Sequence, residues 1–401
     1  MKKNLDLRVP YAQAVYGPAE KSRVSSVLNE KRTMLGKETA EFEKRVAQEF
    51  GKKFGVMVNS GSSANMIAIE LLGLPEGSEV ITPLLTFSTT VAPLIKNKLT
   101  PVFVDVEAGK YTVNIDRLKK MITPKTRALM IPLLLGNVPD LKRISSIAKK
   151  HKLYFIEDSC DTLGATYKNI PTGKYSDITT TSFYGSHIIT AGGGGGMIMV
   201  DKNIWHKRAL MLRGWGRSSA LFSETENFDE RFKTKLNGTP YDGKFIFSEI
   251  GYNFLPLEMS AAFGNAQLDK LSVFRSRRQK NFARLKKFFT NYEKYFQLPV
   301  QDTDATTQWL GFPLTIKDAS PFKRIELVKH LEKNNIQTRP IFTGNILKQP
   351  GFKNIKHRSD KNTNVTEDIM RGGFIIACHH GLNSMQLNKL ENVFSAFLST
   401  Y

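Results

Sequence analysis

The sequence predicts an α/β fold, a large and mainly parallel sheet domain followed by a smaller α+β C-terminal domain. Three observations carry that reading. Between residues 54 and 157, short apolar runs alternate with amphipathic segments of about ten residues, the pattern of successive βαβ units. A chain of 401 residues with 41% hydrophobic and 24% charged content can bury a large core. No apolar run approaches the roughly 20 residues that cross a bilayer.

The elements follow in order. Residues 1–35 read as an arm that includes a short helix over 19–30. Phe42, Val46 and Phe50 place apolar groups on one face of a helix over 39–50. A strand over 54–58 runs into Asn59-Ser-Gly-Ser-Ser-Ala-Asn, which starts a helix through residue 72. Small hydroxylic residues and glycine at a helix start leave backbone N–H groups free for an anion, and Ser and Asn are equally ordinary caps. Strands over 79–81, 101–104, 128–132 and 154–157 then alternate with helices over 89–95, 115–121 and 141–151. A further strand is expected over 197–200. From 205 to 252 the pattern loosens into a long, loop-rich insertion, and long loops in compact domains tend to be functional or disordered. A long helix over 258–284 follows. Strands near 311–316, 338–342 and 373–377, with helices over 320–334 and 384–399, complete the chain. The expected boundaries are an arm, 1–35, a large domain, 36–275, and a small domain, 276–401.

Charge and cysteine content narrow the function. The formal net charge is +21, but lysines are interleaved with acids and no block of five or six basic residues occurs. That favours a solvated basic surface, able to attract an anionic small substrate, over nucleic-acid binding. Two cysteines, Cys160 and Cys378, give neither a disulfide framework nor a four-thiolate metal site. The opening residues lack the apolar segment of a signal peptide. A cytoplasmic protein with no membrane span and no metal is expected.

One stretch stands out: Thr181-Ser-Phe-Tyr-Gly-Ser-His-Ile-Ile-Thr-Ala, followed by five glycines, Gly192 to Gly196. Consecutive glycines give up conformational entropy and persist mainly where the backbone adopts unusual dihedrals or approaches something closely. In parallel sheets, ligands bind beyond the carboxyl ends of the strands, and Phe87, Asp158 and His187 all follow expected strand ends. On pattern alone, a single histidine is more often structural than catalytic, and Phe87 would read as core.

Taken with Asn59-Ser-Gly-Ser-Ser-Ala-Asn, Phe155-Ile-Glu-Asp-Ser-Cys-Asp-Thr-Leu-Gly, Ser248-Glu-Ile-Gly-Tyr-Asn, Thr338-Arg-Pro and Thr343-Gly-Asn, this stretch resembles the DegT/DnrJ/EryC1/StrS sugar aminotransferase family. The motifs keep the family's order over nearly the whole chain. The resemblance implies an aspartate-aminotransferase-like fold (fold type I) that binds pyridoxal 5′-phosphate between the two subunits of a homodimer. By family position, Asp158 would keep the ring nitrogen protonated, which makes the cofactor an electron sink. The phosphate would lie on Gly61, Ser62 and Ser63 with Ser182 as a further donor, and Phe87 would stack on the ring. Asp161 takes the place of the usual glutamine beside the ring oxygen. Asn253 would reach the phosphate of the neighbouring subunit.

Two positions depart from the family pattern. His187 stands where the family has the lysine that holds the cofactor covalently, and Gly193 stands where it has glutamate. Histidine cannot hold the cofactor, but with an ordinary pKa of about 6.5 it can move protons near neutral pH. The likeness then points to the 3-dehydratase branch, which acts on nucleotide-linked 4-keto-6-deoxyhexoses with the cofactor as pyridoxamine 5′-phosphate. Within that branch, CDP-linked sugars are handled with an iron–sulfur cluster on four cysteines. GDP-4-keto-6-deoxymannose is handled without one, glutamate restoring the amine form. Residues 218–231 contain no cysteine, and a cluster needs thiolate ligands. The missing cysteines favour glutamate as donor and the GDP-linked sugar as substrate, whereas Gly214-Trp-Gly-Arg and residues 241–253 look more like the CDP-linked enzyme, so the likeness leaves the nucleotide open. A cluster-free CDP-linked dehydratase, a sugar 4-aminotransferase and an inactive cofactor-binding regulator are the alternatives.

Overall fold

The structure, a computed structural model, describes residues 7–222 and 227–401. The start of the expected arm and part of the cysteine-free stretch over 218–231 lie outside the described residues.

Eight strands form the large sheet, in the order Phe54–Val58, Gly196–Val200, Ile178–Ser182, Tyr154–Asp158, Thr126–Pro132, Glu79–Pro83, Thr100–Val104 and Arg358–Ser359. Neighbours are parallel except around Gly196–Val200, which runs antiparallel to both of its partners. The inner strands are near-continuous apolar runs because helices cover both faces. Phe155 and Ile156, adjacent in one strand, point to opposite faces and belong to different apolar clusters. Ile156 packs with Ile67 and Leu71 of the helix Gly61–Leu72, and Phe155 with Ile144 of the helix Leu141–Lys150. Both helices are closed at their ends by local chemistry. Asp140 caps the second by accepting from Arg143 N–H at 2.9 Å. The first ends at Gly73, whose φ of +56° suits glycine.

Phe296–Gln297, Phe312–Ile316, Gly373–Ile376 and Arg339–Pro340 make a four-stranded antiparallel sheet. It packs on two helices, Leu271–Thr290 and Ser384–Leu398, through Phe289, whose ring lies 5.4 Å from Phe312 and 4.9 Å from Phe394.

Several expectations give way. A helix, Asn203–Arg213, takes the first part of the expected loop, and Trp205, Ala209 and Leu212 are its buried face. Their spacing is helical, so this element is legible in the sequence. The single helix expected over 258–284 is two, Glu258–Leu268 and Leu271–Thr290. The break falls where Gln267 and Lys270 both reach the buried Glu20 carboxylate, at 2.6 Å each. No local pattern could show that tertiary ion pair. The strand near 338–342 shrinks to Arg339–Pro340, since proline has no N–H for a ladder and is confined to a sheet edge. Arg358–Ser359 and the helix Asn364–Gly372 were not foreseen. Arg358 is drawn to the large sheet by Glu79, which accepts from Nε at 2.7 Å and from Nη2 at 3.0 Å.

What positions the site is the carboxyl edge of the large sheet. Asp158 and Ser182 end their strands there, and Gly196 pairs with both Val58 and Ser182. The glycine run therefore enters the sheet between the strand ends at Val58 and Ser182.

Candidate active site

Loops beyond that edge enclose a cavity of about 840 Å³, within the range of small-molecule sites. Gly61, Ser62, Phe87, Asp158, Asp161, Ser182 and His187 all line it. Ser63 and Asn253 do not.

Asp158 is held by neutral donors. Its Oδ2 accepts from Asn65 Nδ2 at 2.9 Å and from Thr90 Oγ1 at 2.8 Å, and its Oδ1 accepts from Cys160 N–H at 3.2 Å. Asn65 is oriented in turn by Thr180, whose hydroxyl donates to its Oδ1 at 2.6 Å. The sequence reading missed this support. Its one signal was that Asn65 follows Gly61 by a single helical turn.

The helix Gly61–Leu72 presents its first turn to the cavity, where backbone N–H groups have no intrahelical partner. A Cβ on Gly61 would lie 2.7 Å from Ser182 Cβ and 2.9 Å from Cys160 Sγ, so only glycine lets these loops meet. Ser182 Oγ is fixed by accepting from Tyr184 N–H at 3.3 Å. Ser63 corrects the expectation. Ser60 is the cap and accepts from Ser63 N–H at 3.1 Å, while the Ser63 hydroxyl donates to Asn59 Oδ1 at 2.7 Å. Both Ser63 donors are spent closing the helix start.

The glycines divide their work. Gly192, Gly193 and Gly195 have φ of +75°, +113° and +127°, and a Cβ on Gly196 would meet Ser60 O at 2.3 Å. Glutamate at 193 would be strained in this backbone.

His187 sits in a turn pinned by the buried side chains of Phe183, Ile188 and Ile189. Its N–H donates to Tyr184 O at 3.0 Å. Its Nδ1 lies 3.4 Å from Ser182 O. A carbonyl only accepts, so this contact favours the tautomer with the proton on Nδ1 and Nε2 as the acceptor. That Nε2 is 4.0 Å from Asp161 Oδ1. Burial lowers the His187 pKa to about 4, with the Ser182 carbonyl opposing and the Arg278 charge reinforcing the shift. Asp161 moves the other way. Burial raises it to about 7 and the Asp158 charge adds to that, against a hydrogen bond from Leu135 N–H at 2.9 Å. Both members of the pair are thereby held toward their neutral forms.

Phe87 is half-exposed on the cavity wall, edge-on to Phe342 at 6.2 Å between ring centres. Tyr11 and Arg339, also on the wall, were not marked from the sequence, and the guanidinium lies 5.3 Å from the Tyr11 ring. Asn253 is exposed outside the cavity, bridged to Gly214.

Residues 16–397 match the DegT/DnrJ/EryC1/StrS aminotransferase family. The chain belongs to this family. It is 37% identical to the lipopolysaccharide biosynthesis protein RfbH of Salmonella typhimurium, over 89% of this chain and 84% of that protein. It is 36% identical to a dTDP-4-dehydro-2,6-dideoxy-D-glucose 3-dehydratase of Saccharopolyspora spinosa, over 92% and 82%. It is 32% identical to a GDP-4-keto-6-deoxy-D-mannose 3-dehydratase of Yersinia pseudotuberculosis, over 96% and 98%. A crystal structure of GDP-4-keto-6-deoxymannose-3-dehydratase with a trapped PLP-glutamate geminal diamine superposes with a TM-score of 0.86 at 30% identity, covering 96% of this chain and 99% of that one.

The cavity fits pyridoxal phosphate. Asp158 would supply the carboxylate for a ring nitrogen, and the first-turn N–H groups at Gly61 and Ser62, with Ser182 Oγ, would supply phosphate donors. The space a Cβ at Gly61 would fill is what brings those donors together.

The raised Asp161 has a sign that can be checked. Folded, it keeps its proton to about pH 7, whereas unfolded it ionises at an ordinary 3.8. Its burial is therefore free of ionisation cost below about pH 4, and the cost grows as pH rises to 7. Asp161→Asn removes the titration and keeps an oxygen for Leu135. In the cofactor-free protein, denaturant melts should show equal stability near pH 4 and a gain of roughly 2–4 kcal/mol for the variant at pH 8. A gain of the same size at both pH values would contradict the raised titration.

Proposed function

We propose that the protein is a cytoplasmic, homodimeric 3-dehydratase that removes the C3 hydroxyl of GDP-4-keto-6-deoxymannose, with pyridoxal or pyridoxamine phosphate as cofactor and glutamate as amino donor. The observation that carries the proposal is the neutral His187 imidazole at the family's lysine position, its Nε2 facing Asp161 across the cavity. Among the described residues, no lysine lines that cavity, so a covalent hold on the cofactor has no candidate there.

Bound as pyridoxamine phosphate, the cofactor would supply the amine that engages the C4 ketone and the electron sink that lets the C3 hydroxyl depart. The chain's own residues do the rest. Asp158, steadied by Asn65 and Thr90, holds the ring-nitrogen proton. Gly61, Ser62 and Ser182 bind the phosphate, and Phe87 covers the ring and keeps water off it. His187, free of a proton at Nε2, takes one from C4′ and delivers it to the departing hydroxyl. Its Nδ1–H to the Ser182 carbonyl keeps the tautomer that makes this possible.

Glutamate as donor is supported by the solved relative that holds it and by the cysteine-free stretch over 218–231. The dTDP-linked relative, at 36% identity, favours a second reading in which the reaction is the same and the nucleotide differs. A homodimer is supported by exposed apolar side chains next to Asn253 in sequence, Phe245, Phe247, Ile250 and Leu257. In that dimer Asn253 reaches the partner's cofactor phosphate.

His187→Asn should keep the cofactor and lose about 10²–10⁴-fold in dehydration rate. His187→Lys should capture the cofactor as a borohydride-stable mass adduct and lose 3-deoxygenation, whereas the wild-type mass should be unchanged by borohydride. Dehydration by His187→Asn at the wild-type rate would make the histidine structural and move the search to Tyr184 or His380.

Asn253→Ala should weaken cofactor binding by about 1.5–3 kcal/mol, the value of a charge-assisted hydrogen bond, in a spectroscopic titration of the dimer. Unchanged affinity would remove Asn253 from the site.

A further inference from the structure

Arg278, in the helix Leu271–Thr290, is 1% exposed, and no carboxylate pairs with it among the described residues. A buried cation is costly unless its donors are all engaged. Four of the five N–H donors of Arg278 go to neutral acceptors. Nη1 donates to Trp309 O at 3.1 Å and Leu310 O at 3.0 Å, Nη2 to His187 O at 3.3 Å, and Nε to His380 Nδ1 at 3.2 Å. These acceptors belong to three separate segments: the chain entering Phe312–Ile316, the turn after Ser182, and the chain leaving Gly373–Ile376. His380 is itself held by stacking on Phe274 at 3.8 Å. One guanidinium therefore joins the His187 turn to the small antiparallel sheet, and its planar fork reaches all of them at once, which a lysine ammonium cannot.

We propose that Arg278 is a positioning residue for His187, fixing the turn that carries the imidazole by binding its carbonyl against the Trp309–Leu310 backbone and His380. This rests on the reading of His187 as the proton carrier. The charge has a second effect. Asp158, Asp161, Tyr184 and the Cys160 backbone surround His187, and Tyr11, Cys378, His379, His380 and Arg277 surround Arg278. Within that set Arg278 is the cation that acts on the His187 ring and opposes a second positive charge there.

Two variants separate geometry from charge. Arg278→Lys keeps the charge and loses the fork, and Arg278→Gln loses both. In purified holoenzyme each should lower kcat by about 10–100-fold, the scale of a misplacement of about 1 Å, with KM for the sugar nucleotide nearly unchanged. The acid limb of the kcat–pH profile should stay in place for Arg278→Lys and move to higher pH for Arg278→Gln. A packing role would not move that limb. If Arg278→Gln does not fold, the kcat-against-KM split of Arg278→Lys decides. Wild-type kcat in Arg278→Lys would overturn the proposal, as would a loss of kcat that only tracks lost cofactor with an unmoved limb. His187→Asn is measured alongside. If it is inactive while Arg278→Lys is normal, the Arg278 assignment alone fails. If it turns over at the wild-type rate, the His187 reading fails and takes this assignment with it.

Discussion

Where the strand ends at Val58 and Ser182 meet Gly196, backbone and side chains are packed with no room for a Cβ. One on Gly196 would lie 2.3 Å from Ser60 O, and one on Gly61 would lie 2.7 Å from Ser182 Cβ. This close approach is the constraint on which the site depends. It sets the start of the helix Gly61–Leu72 against Ser182, which gathers hydrogen-bond donors from two separate loops on one cavity wall. It also fixes the direction in which the chain leaves Ser182, and hence where His187 arrives. Three further glycines with positive φ then carry the chain back into the sheet, at an entropic cost that only such a junction justifies.

Within that frame, burial decides the chemistry. Desolvation pushes the imidazole of His187 down and the carboxyl of Asp161 up. A base that is free at neutral pH and an acid that still holds its proton near pH 7 thus face each other at 4.0 Å. Asp158 sits only three residues earlier in sequence, yet its carboxylate has two neutral side-chain donors on Oδ2.

Much of this was legible in the sequence, for a physical reason. Parallel strands and their covering helices announce themselves by apolar period, so Phe54–Val58 and its successors fell within a residue or two of expectation. The site residues lie at strand ends, where the glycine run and the family motifs mark them. What escaped depends on contacts distant in sequence. Asn65 and Thr90 matter only because they meet Asp158, Arg278 because it meets His187, and the break before Leu271 coincides with Lys270 meeting Glu20. Ser63 was misassigned because a cap and an anion cradle use the same residue types. Only the hydrogen-bond partners tell them apart.

The central claim is that replacing lysine by His187 turns an aminotransferase frame into a C3-deoxygenating one. It is tested most directly by mass analysis of the product formed from glutamate and GDP-4-keto-6-deoxymannose, with the CDP- and dTDP-linked sugars in parallel. The account predicts a sugar nucleotide one oxygen lighter that keeps its C4 ketone, with one 2-oxoglutarate and one ammonia released per turnover. A 4-amino sugar that retains its C3 hydroxyl would contradict it.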